Sequence, residues 1–306
     1  MRVAVFGGTG FVGGYLLEAL VKAGHEPTVL VRPGSEEKVR SSGDCRLVAG
    51  QIESIEAIKT TLESCDAVIY NIGILREFPR LGITFEELQF QGVVRVVDAA
   101  REMGVNRLLL MSANGVKAFG TAYQDTKYRA EQYALQSSLQ ATVFRPSVIF
   151  GDPRGTMEFA TQLYQDMVAS PLPAVGFFSG LRPGEGQILM SPVHIEDVAQ
   201  AFTKALSDTS TVGRVYALGG PEILSWQEMI KRIAKATGRR KLILPFPVQL
   251  MKLGAAALDR LPQFPVTRDQ LTMLTEGNTA SPEQIESLIG RKPRAFTDQT
   301  LGYLAD

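Results

Sequence analysis

The chain has little with which to bind a metal or build a disulfide framework. Of 306 residues, only Cys45 and Cys65 are cysteine and only His25 and His194 are histidine. Neither cysteine sits in a C-x-x-C pair. One bridge between them is the alternative to two buried thiols in a reducing compartment; the thiols are the expected state, and no metal site is expected. An excess of charge of one sign is missing as well. Lysine plus arginine and aspartate plus glutamate number 32 each, which removes the electrostatic footprint of a nucleic-acid or anionic-membrane binder. No apolar run reaches the roughly 18 residues of a membrane span. Strand character begins at Arg2, leaving no room for a targeting peptide. A cytoplasmic location is therefore expected, with a peripheral place on the cytosolic face of a membrane as the alternative.

What is present is an ordinary globular composition, 45% hydrophobic and 21% charged, long enough for one large domain with an appendage or two modest domains. The organising stretch is the first turn. Val3-Ala4-Val5-Phe6 has strand character, and Leu16, Leu17, Leu20 and Val21 repeat at helical spacing up to Gly24. Between them, Gly8, Gly10 and Gly13 fit G-x-G-x-x-G, and Gly7, Gly10 and Gly13 fit G-x-x-G-x-x-G. Glycines at such a strand-to-helix crossing allow a tight turn and let backbone approach a pyrophosphate, which the unpaired amides of the helix start attract. A dinucleotide site is expected.

The second strand, Thr28 to Val31, ends where a dinucleotide fold places its ribose-binding residue. A carboxylate there selects NAD; this chain has Arg32, followed by Lys38 and Arg40. A guanidinium pairs with a 2'-phosphate that a carboxylate would repel, so NADP(H) is favoured and NAD(H) is the alternative. Further strands are expected at Arg46–Ala49, Ala67–Tyr70 and Arg107–Met111. Asn71 and Gly73 follow the fourth strand, and a small residue there lets backbone pass close to a ligand. A long amphipathic helix is predicted from Phe85 to Gly104. Tyr123 and Lys127 are four apart, which on a helix sets both on one face, where an ammonium stabilises phenolate and lowers the phenol's pKa. Behind a cofactor turn and repeated strand-helix units, this pair is a candidate hydride-transfer site.

With these residues the chain resembles the extended and atypical branches of the short-chain dehydrogenase/reductase superfamily, over essentially its whole length. The resemblance implies that Gly7, Thr9, Gly10, Phe11 and Val12 form the cofactor turn and Arg32 the NADP-selecting position. Asn71, Gly73, Lys127, Pro146 and Val148 complete the cofactor set, the last two in Arg145-Pro146-Ser147-Val148-Ile149-Phe150-Gly151 beside the nicotinamide. It implies Tyr123 and Lys127 as the catalytic pair. The oxygen-orienting residue is less well matched: Ser112 comes at once at the strand end, and Asn114 is the replacement donor if Ser112 falls short.

Ser191-Pro192-Val193-His194 through Ala199 looks like the family's lead-in to a late helix. A narrower likeness, to the NADPH-binding accessory subunit of respiratory complex I and its bacterial relatives, rests on Val68 to Leu75, Leu218-Gly219-Gly220-Pro221 and Pro265 to Gln270 with Leu274 and Asn278. It implies an association with a respiratory complex in place of turnover.

The expected architecture is α/β, a Rossmann doubly wound parallel sheet with a small, mostly helical C-terminal lobe. Residues 1–150 form the dinucleotide domain and 151–306 the substrate lobe, with some segments returning to the sheet. In that lobe a helix is predicted from about Met157 to Val168, and strands near Ile188–Met190 and Val215–Leu218. Ser225 and Glu228 form a capping-box pattern, and Pro245 to Leu258 is expected to be a packed helix of the lobe, an amphipathic helix lying on a membrane or against a partner being the alternative. His194 reads as structural. No basic cluster demands a nucleotide-sugar diphosphate, although Arg145, Arg154 and Arg182 are candidates for one. The substrate itself is not legible.

Overall fold

The computed structural model describes residues 1–180, 182, 185–251 and 268–305. Strands β1 (Arg2–Phe6), β2 (Glu26–Val31), β3 (Arg46–Ala49), β4 (Ala67–Tyr70), β5 (Arg107–Met111) and β6 (Gln140–Pro146) are joined by Val215–Leu218 in one seven-stranded sheet. Its order is Val215–Leu218, β6, β5, β4, β1, β2, β3, and every pairing is parallel. Parallel strands are covered on both faces, which is why they read as continuous apolar runs. The pleat divides them: Val3 and Val5 join the core under helices α1 (Phe11–Lys22) and α6 (Ile195–Ser207), while Ala4 and Phe6 join that under α2 (Ile55–Leu62) and α3 (Gly92–Glu102). Burying a side chain such as Phe6, which is fully inaccessible, contributes about 1.5–3 kcal/mol.

Strand order reverses between β1 and β4, and at such a reversal the loops leaving the carboxyl ends part to form a crevice. The glycine turn leaves β1 there.

The predicted helix from Phe85 begins instead as a π-helical turn, Glu86–Gln91, before continuing as α3. A fixed neighbour accompanies the widening. The Tyr70 hydroxyl, buried at the end of β4, donates to the Leu88 carbonyl at 2.5 Å, and a Cβ at Gly92 would stand 2.1 Å from the Tyr70 hydroxyl oxygen.

The lobe has its own core of Phe150, Leu163, Phe177, Trp226, Ile230, Val248 and Phe296. Helix α5 (Phe159–Leu163) continues into a π-turn, Tyr164–Ala169, where one helix was expected. Leu189–Met190 pairs antiparallel with Leu224–Ser225, which caps α7 (Trp226–Ala236) through the full Ser225/Glu228 capping box. The expected helix from Pro245 is not observed there. Ile243–Pro247 is a strand, parallel to Ala174–Phe178, and helix begins only at Val248; residues 252–258 lie outside the described residues. Pro245 and Pro247 explain the difference, since two residues without N–H groups suit a two-stranded edge and not a helix interior. Cys45 and Cys65 are free. Among the described residues no helix is long and apolar enough to cross a membrane, and no cluster of metal-ligating side chains occurs.

Candidate functional site

The turn is built by steric necessity. Gly7 has φ +97°, and a Cβ there would meet the Asn71 carbonyl carbon at 2.8 Å. At Gly13 a Cβ would lie 2.1 Å from the Gly7 oxygen, so the helix can approach the turn only without a side chain. Asn71 holds the bend from the next strand: its amide N–H donates to the Phe6 carbonyl at 2.8 Å and its Nδ2 to the Gly7 carbonyl at 3.3 Å.

Gly10 differs from these two. It is exposed, a Cβ there would meet nothing nearer than 4.0 Å, and it caps α1 without a side-chain bond. No acidic residue occupies the first turn of α1, so the unpaired amides and the positive end of the helix dipole are not neutralised. This is the cradle a pyrophosphate fits. Phe11 and Val12 pack their half-buried side chains against the core beside α1, Phe11 edge-on to Tyr15 at 5.8 Å. Gly13→Ala is expected to lower stability by about 1–3 kcal/mol and to weaken dinucleotide binding at least tenfold, read by urea unfolding and by cofactor fluorescence titration.

Arg32 is exposed at the end of β2, and its guanidinium has no ion pair among the described residues. Lys38 is also exposed, whereas Arg40 lies across Gly14 and donates to the Arg154 carbonyl at 2.6 Å.

Across the crevice, α4 (Ala122–Gln136) starts in a capping box of Thr121 and Gln124, which fixes its first turn. Lys127 is buried, and its Nζ donates to the Met111 carbonyl at 3.2 Å. The same nitrogen stands 3.5 Å from where a Gly73 Cβ would be, and 5.9 Å from the centre of the Tyr123 ring. Burial lowers the Lys127 ammonium to a pKa of about 8, opposed by the negative charge of Glu131 one turn further on. Glu131 is fully buried and is held by Arg145, whose Nε donates to its Oε1 at 2.8 Å. The Tyr123 ring meets Phe85 edge-on at 5.6 Å. Its phenol is raised above the ordinary value by burial, opposite to the lowering by Lys127 that the spacing leads one to expect.

Ser112 lines a small buried void with Lys127, Tyr70 and Gln89. Its Oγ and Gln89 Oε1 are buried without a hydrogen-bond partner among the described residues. Gln89 was not legible as a site residue, because only the π-turn carries it under the strand ends, where its Nε2 donates to the Ile74 carbonyl at 2.9 Å.

Asn114 points elsewhere. Its Nδ2 donates to Asn278 Oδ1 and to the Thr279 carbonyl, each at 2.9 Å, so it ties the β5 loop to the lobe in place of reaching an oxygen beside Tyr123. Asn278 is a junction: its carbonyl accepts from Ser147 Oγ at 2.7 Å and from the Ser191 amide at 3.1 Å. The late glycines serve the same crossing, since a Cβ at Gly219 would lie 2.1 Å from the Ala280 oxygen and one at Gly220 1.8 Å from the Pro192 oxygen. Pro265 to Thr267 of that motif group lie outside the described residues. Pro146 is buried and its carbonyl accepts from the Asn114 amide at 2.9 Å; Val148 packs against the lobe core. His194 Nδ1 caps α6 at the Glu196 amide, a structural place. Of the candidate diphosphate ligands, Arg145 is taken by Glu131 and Arg154 by Glu18 and the Tyr15 ring; Arg182 is exposed.

A parallel sheet with this turn at its reversal and a Tyr-x-x-x-Lys helix beside it defines an NAD(P)-binding Rossmann protein of the extended short-chain dehydrogenase/reductase type. Residues 7–169 match the model of the NAD(P)H-binding family, and the chain belongs to that family. It is 28% identical to the NADH dehydrogenase [ubiquinone] 1 alpha subcomplex subunit 9, mitochondrial, of Arabidopsis thaliana, over 92% of this chain and 70% of that protein. It is 26% identical to the 4-hydroxy-2-methyl-3-oxo-4-farnesyl-3,4-dihydroquinoline-1-oxide ketoreductase of Stigmatella aurantiaca, over 83% of this chain and 79% of that one. The fold is shared with the Thermus thermophilus UDP-glucose 4-epimerase solved with NAD, at TM-score 0.74 and 20% identity, over 100% of this chain and 98% of that chain.

Proposed function

We propose that this protein is an NADPH-dependent reductase of carbonyl compounds, with residues 1–150 holding the dinucleotide and the later lobe receiving the substrate. The observation that carries this reading is the buried Lys127 ammonium, held between the Met111 carbonyl and Gly73 and close to the Tyr123 ring. When bound, the dinucleotide supplies the hydride that adds to the carbonyl carbon. Tyr123 donates its proton to the carbonyl oxygen, and Lys127 stabilises the phenolate that remains. Ser112, whose Oγ is unpartnered, is the residue that orients the oxygen. Asn114 has no part in that step, being held by Asn278 and Thr279. The ketoreductase relative supports the same direction of reaction.

The test is to incubate the purified protein with NADPH and a panel of ketones and to follow loss of nicotinamide absorbance. No turnover across the panel despite NADPH binding would sink the reading. Arg32 predicts the cofactor: Arg32→Asp is expected to weaken NADPH at least tenfold and leave NADH within about threefold, since the 2'-phosphate loses a charge-assisted partner and gains a repelling one. Equal affinities of the wild type for the two cofactors would remove Arg32 as selector.

A second reading is favoured by the respiratory-subunit relative and by the lock of the β5 loop onto residues 276–279. The protein would carry NADPH as a structural ligand of a larger assembly, stabilised by mass action without turnover. Co-purification with respiratory subunits, together with bound NADPH and no consumption of it, is the result that selects this reading.

A further inference from the structure

Glu276 ends the lobe helix Arg268–Glu276 and reaches across to the start of α4. Its two carboxylate oxygens meet two different donors. Oε2 accepts from Gln124 Nε2 at 2.7 Å and Oε1 from Lys117 Nζ at 2.6 Å. Gln124 follows Tyr123 in the chain and is buried, whereas Lys117 is half exposed on the loop between β5 and α4. The Gln124 side chain is a hub of this turn. Its Oε1 accepts from the Thr121 amide at 2.9 Å, which is one half of the capping box, and its Nε2 also donates to the Gly115 carbonyl at 2.9 Å. Both hydrogens of Nε2 are thus in use. The amide joins the helix cap, the loop and the lobe around the backbone that carries Tyr123. The loop passes so close that a Cβ at Gly120 would lie 2.9 Å from Gln124 Cβ and 3.1 Å from Lys117 Cγ.

The lobe end of this link is fixed as well. Leu271 of the same helix is buried in the lobe core and Leu274 packs against it, so Glu276 stands on a rigid base. The loop is tied a second time where Asn114 donates to Asn278 and Thr279. Between the ties Phe119 is 99% exposed, so burial of the tip does not hold the loop. Lys117 Nζ and Gln124 Nε2 are both donors, and a carboxylate answers them with one oxygen each. The two bonds differ in weight. The Lys117 pair is half exposed and screened by water, whereas the Gln124 bond is charge-assisted and made to a buried amide.

We propose that Glu276 is a positioning residue: from the lobe, and through Gln124, it sets the place of Tyr123 at the crevice. The effect on rate rests on the reductase reading, while the ordering of the turn stands on the geometry alone. A reacting group misplaced by about 1 Å loses on the order of a hundredfold in rate, so a tether one residue from Tyr123 has leverage on turnover without touching substrate or dinucleotide.

The experiment compares the full chain with Glu276→Ala and Glu276→Gln, in the presence of NADPH. Glutamine keeps an oxygen for Gln124 Nε2 and gives up only the ion pair; alanine gives up both. Glu276→Ala is expected to lower kcat for ketone reduction roughly 20-fold, with KM and the Kd for NADPH within about twofold of the wild type. Glu276→Gln should restore kcat to within about threefold, since the exposed pair contributes little. A parallel measurement needs no turnover. Hydrogen exchange followed by mass spectrometry should be roughly fivefold or more faster over residues 113–128 in Glu276→Ala and wild-type-like in Glu276→Gln, with residues 3–17 unchanged in both. Unchanged exchange over 113–128 in the alanine variant would overturn the proposal whatever the rates. Faster exchange with an unchanged kcat would overturn it too, making the contact a structural one. Equal losses in the two variants would put the link on Lys117 and overturn the route through Gln124. No turnover by the wild type, with the expected exchange pattern, would overturn the reductase and leave Glu276 as the residue that orders the turn bearing Tyr123.

Discussion

Tyr123→Phe is expected to lower kcat/KM for ketone reduction by about a thousandfold, while NADPH affinity stays within about threefold of the wild type. The change removes one hydroxyl and keeps the ring that packs edge-on against Phe85, so neither the start of α4 nor the Phe85 contact is disturbed. What is lost is the proton donor, and positioned acid-base groups contribute roughly 10²- to 10⁴-fold. Single-turnover consumption of NADPH and fluorescence titration of the cofactor measure the two quantities separately. Turnover within tenfold of the wild type would mean that the proton comes from another group.

The second large effect is on stability and follows from Lys127. Its ordinary pKa of 10.5 falls to about 8 in the folded chain, because burial disfavours the ammonium more than Glu131 favours it. Between pH 8 and 10.5 the unfolded chain therefore holds a proton that the folded chain has released, and stability must rise with pH. The penalty is fully present below pH 8 and has gone by pH 10.5. Measured against Lys127→Met, which cannot titrate, the wild type without cofactor should gain on the order of 3 kcal/mol across that interval. Urea unfolding at a series of pH values reads this difference. A difference that stays flat would show that Lys127 keeps an ordinary pKa, and with it that the crevice is wet.

The turn and the sheet were legible because their causes are local. β1, β2, β4 and β5 are short apolar runs, and the glycines answer clashes with chain that lies close by, such as Gly13 against the Gly7 oxygen. Tyr123 and Lys127 were legible because helical spacing alone sets them on one face. The destination of Asn114 was not, since its partner Asn278 lies 164 residues away and nothing near Asn114 signals it. Gln89 was hidden by the π-turn, which shifts the register of the helix, and Tyr70, whose hydroxyl meets that turn at the Leu88 carbonyl, comes from β4, distant in sequence. In the lobe, pairs as short as Leu189–Met190 with Leu224–Ser225 leave almost no periodicity to read. The run from Pro245 misleads for a different reason: its apolar content suits a helix throughout, but the prolines at 245 and 247 lack amide hydrogens, and helix begins only at Val248. Gly219 and Gly220 were legible as a pattern but not as a crossing, which exists only once Pro192 and Ala280 have been brought to them.

That crossing also orders the making of the molecule. A ribosome delivers the glycine turn, β1 to β6 and α4 before Val215–Leu218 completes the sheet edge, and Asn278 emerges later still. Until then the Asn114 side chain lacks its acceptors and the Ser147 hydroxyl its carbonyl. The nascent chain can thus shape the glycine turn early, but the β5 loop acquires its tether only once Asn278 and Thr279 have been synthesised.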